Sequence, residues 1–110
     1  DELLAGIGDL ELPRVRDGAS HVYHLSVVRT AHRNELADYL RARDIQTGIH
    51  YPIPVHLQQA YSEFGYNAGD LPVTERVAGQ LLSLPMFAEL TRPQIEDVCA
   101  ALREEVARAQ

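Results

Sequence analysis

Lysine is missing from this 110-residue chain; its ten basic residues are all arginine, and they are scattered. Chemistry that needs a primary amine on a side chain is therefore excluded from it. The single cysteine, Cys99, excludes an intramolecular disulfide and suits a reducing cytoplasm. No apolar run approaches the ~20 residues that a bilayer-spanning helix requires. The acidic N-terminus carries no basic segment, so the pattern of a secretory leader is absent. A net charge of −6 speaks against nucleic acid as a partner, because phosphate binding draws on a basic stripe. There is no G-x-G-x-x-G and no other phosphate-cradling loop.

What remains is ordinary globular composition, 45% hydrophobic and 24% charged. One domain of this length buries roughly two-thirds of its unfolded surface, enough for a true core. The chain opens on Asp1 rather than Met and runs directly into Leu3, Leu4 and Ile7, which reads as a cut through a longer protein.

Hydrophobic periodicity supplies the elements. Residues 1–8 read as the tail of a helix ending at Gly6 and Gly8. Leu10 and Leu12 alternate up to Pro13 as a short edge strand. His21 to Arg29, rich in β-branched and aromatic residues, reads as a central strand. Tyr23, Leu25 and Val27 would share one face, and Val22, His24, Ser26 and Val28 the other. A helix is predicted over 33–43, with Asp44 standing where a helix end favours glycine. A second strand is expected over 46–51, ended by Pro52 and Pro54, which cannot donate to a ladder. One helical turn is expected near Leu57 to Phe64, then a loop marked by Gly65, Asn67, Gly69 and Asp70. A helix over 72–81 would bury Val73, Val77, Ala78 and Leu81. Leu82 to Pro85 reads as a third strand. The helix over 92–108 has the clearest start, a Thr91/Gln94 capping box, followed by Ile95, Val98, Cys99, Leu102 and Val106 at helical spacing. The order implies an α+β fold: a small antiparallel or mixed sheet of three or four strands with helices packed against it.

Five histidines invite a metal hypothesis, yet the pattern does not support one. His21 and His24 would point to opposite faces of a strand, and no cysteine or carboxylate cluster completes a site. Cys99 falls within an apolar stripe, where a thiol behaves as a small hydrophobe. One stretch stands apart, running from Gly48 to His56 as G-I-H-Y-P-I-P-V-H. Two imidazoles and a phenol gather there at a strand exit, and the prolines reduce the entropy lost in presenting them. His50 and Tyr51 would leave the strand on opposite faces. Spacing alone leaves two readings open: a binding edge, or Tyr51 packed in the core with His56 capping the following turn.

At this stretch the sequence resembles the DegT/DnrJ/StrS-type aminotransferases, pyridoxal-phosphate enzymes acting on sugar nucleotides and ketocyclitols. The segments that carry the resemblance are His21–Arg29, Thr47–Gln58, Leu71–Arg76, Leu82–Met86 and Leu90–Thr91, in that order. The resemblance implies the C-terminal small domain of a fold-type I enzyme, with residues 1–8 the tail of an interdomain helix and 9–110 the domain proper. It further implies a homodimeric parent whose upstream large domain holds pyridoxal phosphate on a lysine. This chain has no lysine, so it implies no catalytic and no cofactor-binding residue here. His50, Tyr51 and His56 are the implied sugar-nucleotide contacts, at or near a dimer interface. The run around His50 is most similar to members that aminate 3-keto-6-deoxyhexoses on a dTDP carrier. Two departures are local: Asp44 for a common glycine, and Phe87 for a common tyrosine. Apart from the resemblance, a stand-alone α+β module that binds a small metabolite, or one that docks a protein partner, fits the same composition. A purely docking module would present a large apolar patch without an organised polar cluster at residues 48–58.

Overall fold

The computed structural model describes residues 2–109. Two strands, β1 (Ser26–Arg29) and β2 (Leu81–Leu84), pair antiparallel in the register Val27 opposite Ser83 and Val28 opposite Leu82. Single-residue bridges flank them. Glu11 pairs with Arg29 outside β1, and Gly48 with Ser83 outside β2. The expected three- to four-stranded sheet is thus a two-stranded ladder whose outer partners have shrunk to one residue each.

Among the described residues three α-helices complete the fold: α1 (Arg33–Arg41), α2 (Pro72–Gln80) and α3 (Arg92–Arg108). Leu36 and Leu40 of α1 meet Val28, Leu82 and Leu84 of the sheet and Cys99, Ala101 and Leu102 of α3 in one core. Side chains alternate along a strand, so Leu82 and Leu84 enter this core while Leu81 and Ser83 face the other side. Truncating a buried leucine of this kind costs about 2–5 kcal/mol, several times the net worth of one hydrogen bond.

The strand expected over His21–Arg29 begins only at Ser26. Tyr23 has a positive φ of 49°, and its N–H donates to Nδ1 of His21 at 2.7 Å. That local turn ends the extended run, and Val22 is left 89% exposed instead of covered. Residues 2–6 form turns rather than a helix, with Gly6 and Gly8 at positive φ as expected; Asp1 lies outside the described residues. The stripe expected on α2 is only partly buried, since Ala78 is interior but Val73 is exposed. Ile95, in the first turn of α3, is also exposed.

Helix ends follow local chemistry. Gln94 closes the start of α3, its Oε1 accepting the Thr91 N–H at 2.9 Å. No side chain caps α1; instead a distant residue ties down the turn that leads into it. The Asp9 carboxylate accepts from the Thr30 hydroxyl and, at 2.7 Å, from the Ala31 N–H, offering negative charge to the helix N-terminus.

Asp44 occupies the position that glycine favours. Its φ is 60°, its N–H donates to the Arg41 carbonyl, and the Ile45 N–H donates to the Leu40 carbonyl, both at 3.0 Å. This is the paired closure of a left-handed helix end. A carboxylate there pays for both the left-handed backbone and its place at the negative end of the helix dipole. Asp44→Gly should therefore stabilise the protein by roughly 0.5–1 kcal/mol, net of glycine's greater freedom when unfolded. A thermal melt should show a Tm raised by about 2–5 °C; an unchanged or lower Tm would mean that Asp44 contributes a contact of its own.

Candidate functional site

Beyond α1 the chain packs Ile45 and Ile49 against the core and pairs once with β2. Gly48 N–H donates to the Ser83 carbonyl at 3.0 Å, and Ser83 N–H to the Gly48 carbonyl at 2.7 Å. Pro52 and Pro54 follow, and neither can extend a ladder. The chain then coils through two 3₁₀ segments, Val55–Leu57 and Gln59–Phe64, where one helical turn was expected. Gly65, at φ 74°, ends the second.

The three expected site residues are placed very differently. His50 is exposed, and its Nδ1 lies 2.9 Å from the Ser83 hydroxyl. Gly48 makes room for it: a Cβ there would come within 2.6 Å of His50 Cε1. Tyr51 is 71% exposed, so it does not pack in the core. Neither residue lies in a strand, and their rings meet edge to face at 5.5 Å rather than parting to opposite faces.

His56 is interior, 8% exposed, with Nε2 3.0 Å from Glu75 Oε1. The Tyr66 ring meets its imidazole edge to face. The same Glu75 carboxylate accepts from Gly69 N–H at 2.9 Å and from Leu71 N–H at 3.2 Å. The Gly69 hydrogen bond, then the one from His56, holds the Glu75 carboxyl below the usual carboxylate range, against the opposing effect of burial. His56 and Glu75 thus fasten the 55–57 turn and the 65–71 loop onto α2.

Around these residues the surface is apolar. One open depression of about 360 Å³ is lined by Tyr51, Ile53, Val55, Val73, Val77 and Leu81 among others. A second, of about 310 Å³, lies between Val55, His56, Tyr61, Phe64, Tyr66 and Leu71. A larger groove of about 790 Å³ runs between the end of α1 and α3. It contains none of the expected site residues, and its Arg43 is paired with Glu104 at 2.9 Å; size alone does not make it the site.

Among the described residues no three His, Cys, Asp or Glu side chains gather to hold a metal ion, and no helix is long and apolar enough to cross a membrane. Cys99 is buried, which pushes its thiol pKa up and away from nucleophilic use. Sequence reasoning missed Ser83 and Glu75. The signal for Ser83 was a lone hydroxyl between Leu82 and Leu84, which strand alternation turns away from the core.

An exposed imidazole seated on a glycine and a serine, a phenol beside it and an apolar floor make a surface suited to a polar ligand with apolar parts. Comparison with known proteins supplies the class. The family description "DegT/DnrJ/EryC1/StrS aminotransferase family" matches residues 1–103, and the chain belongs to that family. It is 45% identical over 105 residues to the dTDP-3-amino-3,4,6-trideoxy-alpha-D-glucose transaminase of Streptomyces venezuelae, covering 96% of this chain and 28% of that protein. It is 40% identical over 99 residues to a "Pleiotropic regulatory protein" of Geobacillus stearothermophilus, covering 89% of this chain and 27% of the relative. Among solved structures, S. venezuelae DesV in complex with a ketimine intermediate superposes with a TM-score of 0.94 at 43% identity, over 99% of this chain and 29% of that one. The chain spans little more than a quarter of the curated relatives it matches.

The Glu75 tether has a pH signature. A depressed carboxyl pKa contributes stability that is fully present above the unfolded value of 4.5 and is lost as pH falls through the lower folded value. Melting curves of the protein and its Glu75→Gln variant should differ above that value and converge as pH drops below it. A gap that stays constant through acid would mean that the charge of Glu75 contributes nothing.

Proposed function

We propose that this chain is the C-terminal small domain of a pyridoxal-phosphate-dependent aminotransferase that transfers an amino group to a nucleotide-linked keto sugar. Residues 1–8 are the end of the connection from a large domain, and 9–110 are the small domain. The observation that carries this reading is the likeness, unbroken over almost the whole chain, to a dTDP-sugar transaminase more than three times as long. A dTDP-linked 3-keto-6-deoxyhexose is the substrate we favour. The parent works as a cytoplasmic homodimer, and the apolar depressions around Tyr51 and Tyr61 meet the remainder of that assembly.

The residues present do not fit pyridoxal phosphate itself, because no lysine is available to carry it. The cofactor belongs to the large domain, and no chemical step is assigned to this chain. Its part is to bind and orient. His50 can donate to or accept from a sugar hydroxyl or a phosphate oxygen through its ring nitrogen, and Tyr51 can do so through its phenol. His56, buried and tied to Glu75, shapes the edge from within.

Two measurements on the full-length enzyme test this assignment. His50→Ala should raise the substrate KM by roughly three- to tenfold, the worth of one hydrogen bond, with Tm nearly unchanged. His56→Ala should do the opposite first, lowering Tm because it strips a partner from a partly buried carboxylate. If His50→Ala leaves KM where it was, the substrate-facing role of residues 48–58 is lost. A chemical check concerns the cofactor: borohydride treatment of this chain with pyridoxal phosphate should label no side chain. An adduct anywhere but the N-terminal amine would contradict that.

A further inference from the structure

We propose that Ser83 is the positioning residue for His50: its hydroxyl holds Nδ1 of the imidazole and thereby turns Nε2 outward to the ligand. The inference rests on the reading that residues 48–58 face the substrate. Ser83 is 3% exposed; both of its backbone hydrogen bonds go to Gly48, while its neighbours Leu82 and Leu84 hold the strand to β1 opposite Val28 and Ser26. Its hydroxyl is therefore an anchored atom rather than a surface rotor, and it lies 2.9 Å from His50 Nδ1. Gly48 supplies the second wall, since its missing Cβ is where the edge of the imidazole rests. With Nδ1 occupied, Nε2 has no hydrogen-bond partner among the described residues.

A hydroxyl partner has a chemical consequence that a carboxylate would not. A carboxylate accepts only, and so fixes its nitrogen partner as N–H. The Ser83 hydroxyl can donate to Nδ1, leaving Nε2 as a donor, or accept from Nδ1–H, leaving Nε2 as an acceptor. His50 is thereby fixed in place but free in tautomer. Such a group can meet a phosphate oxygen with its N–H or a sugar hydroxyl with its lone pair. His56 has the opposite arrangement, a carboxylate on its Nε2, and a buried ring.

The test is a double-mutant cycle on the full-length holoenzyme, with histidine-selective ¹⁵N spectra as a second readout. Ser83→Ala should raise the sugar-nucleotide KM about three- to tenfold and leave kcat within about twofold, since it removes an orienting bond and no reacting group. In the His50→Ala background the same substitution should have no further effect, because its route of action is gone. The His50 ring nitrogens should shift in the Ser83→Ala spectrum. The proposal is overturned if His50→Ala weakens binding but Ser83→Ala does not, if the two effects multiply, or if the His50 nitrogens are unchanged by the serine's loss. An inert His50→Ala is a different failure: it removes the substrate reading itself, and this inference with it.

Discussion

Everything in this domain is referred to the four residues of β2. Leu82 and Leu84 enter the core against α1 and α3, while Leu81 and Ser83 look the other way. One edge of the strand pairs with β1, and the other holds Gly48. Strand alternation thus gives a single short segment two separate duties: anchoring the helices on one face and seating an imidazole on the other. Because the leucines on the core face resist displacement by several kcal/mol, the serine between them inherits their rigidity. A side-chain hydroxyl on a loop would lack that support.

The stretch from Gly48 to His56 combines two environments for its histidines. His50 keeps one nitrogen free at the surface and gives up the other to a neutral hydroxyl. His56 is withdrawn from solvent and satisfied by a carboxylate that also collects two backbone N–H groups. Both histidines come from one nine-residue stretch, yet one is exposed and the other is buried against a carboxylate. The intervening prolines and the 3₁₀ turn at Val55–Leu57 produce that separation by turning the chain inward between them. An organised polar pair beside an apolar floor is also more than a docking patch alone would show.

Much of the architecture was legible in the sequence, for identifiable reasons. The Thr91/Gln94 box, the Leu36/Leu40 stripe and the apolar segment Leu82–Pro85 are local signals, and each appears in the structure within a residue or two of its expected place. Failures came where local pattern was overruled. Strand propensity from His21 onward yielded to a left-handed Tyr23, a backbone choice that no periodicity reports. The outer strands were over-read because apolar alternation says which side chains face inward and not whether the backbone finds a continuous partner. On α2, Val73 was expected inside because a helical stripe was assumed to meet this chain's own core; it opens instead onto the depression beside Tyr51. The clustering of His50, Tyr51 and His56 along the chain was visible from spacing, but the exposure of His50 and the burial of His56 were not. Those placements depended on Ser83 and Glu75, partners 33 and 19 residues away in sequence.

The reduction of both outer strands to single bridges affects how the protein behaves toward other chains. A long, unpaired strand edge is a template on which a foreign or misfolded segment can add itself. Here each flank of the ladder is occupied by one paired residue, followed at once by chain that cannot continue the pattern. Pro13 stands two residues from Glu11, and Pro52 and Pro54 follow Gly48 closely. The sheet is therefore short of sites for strand addition, even though the surface beside it is apolar. Edge-to-edge growth is limited at the backbone, and side-chain contact is the main means by which this surface can be covered.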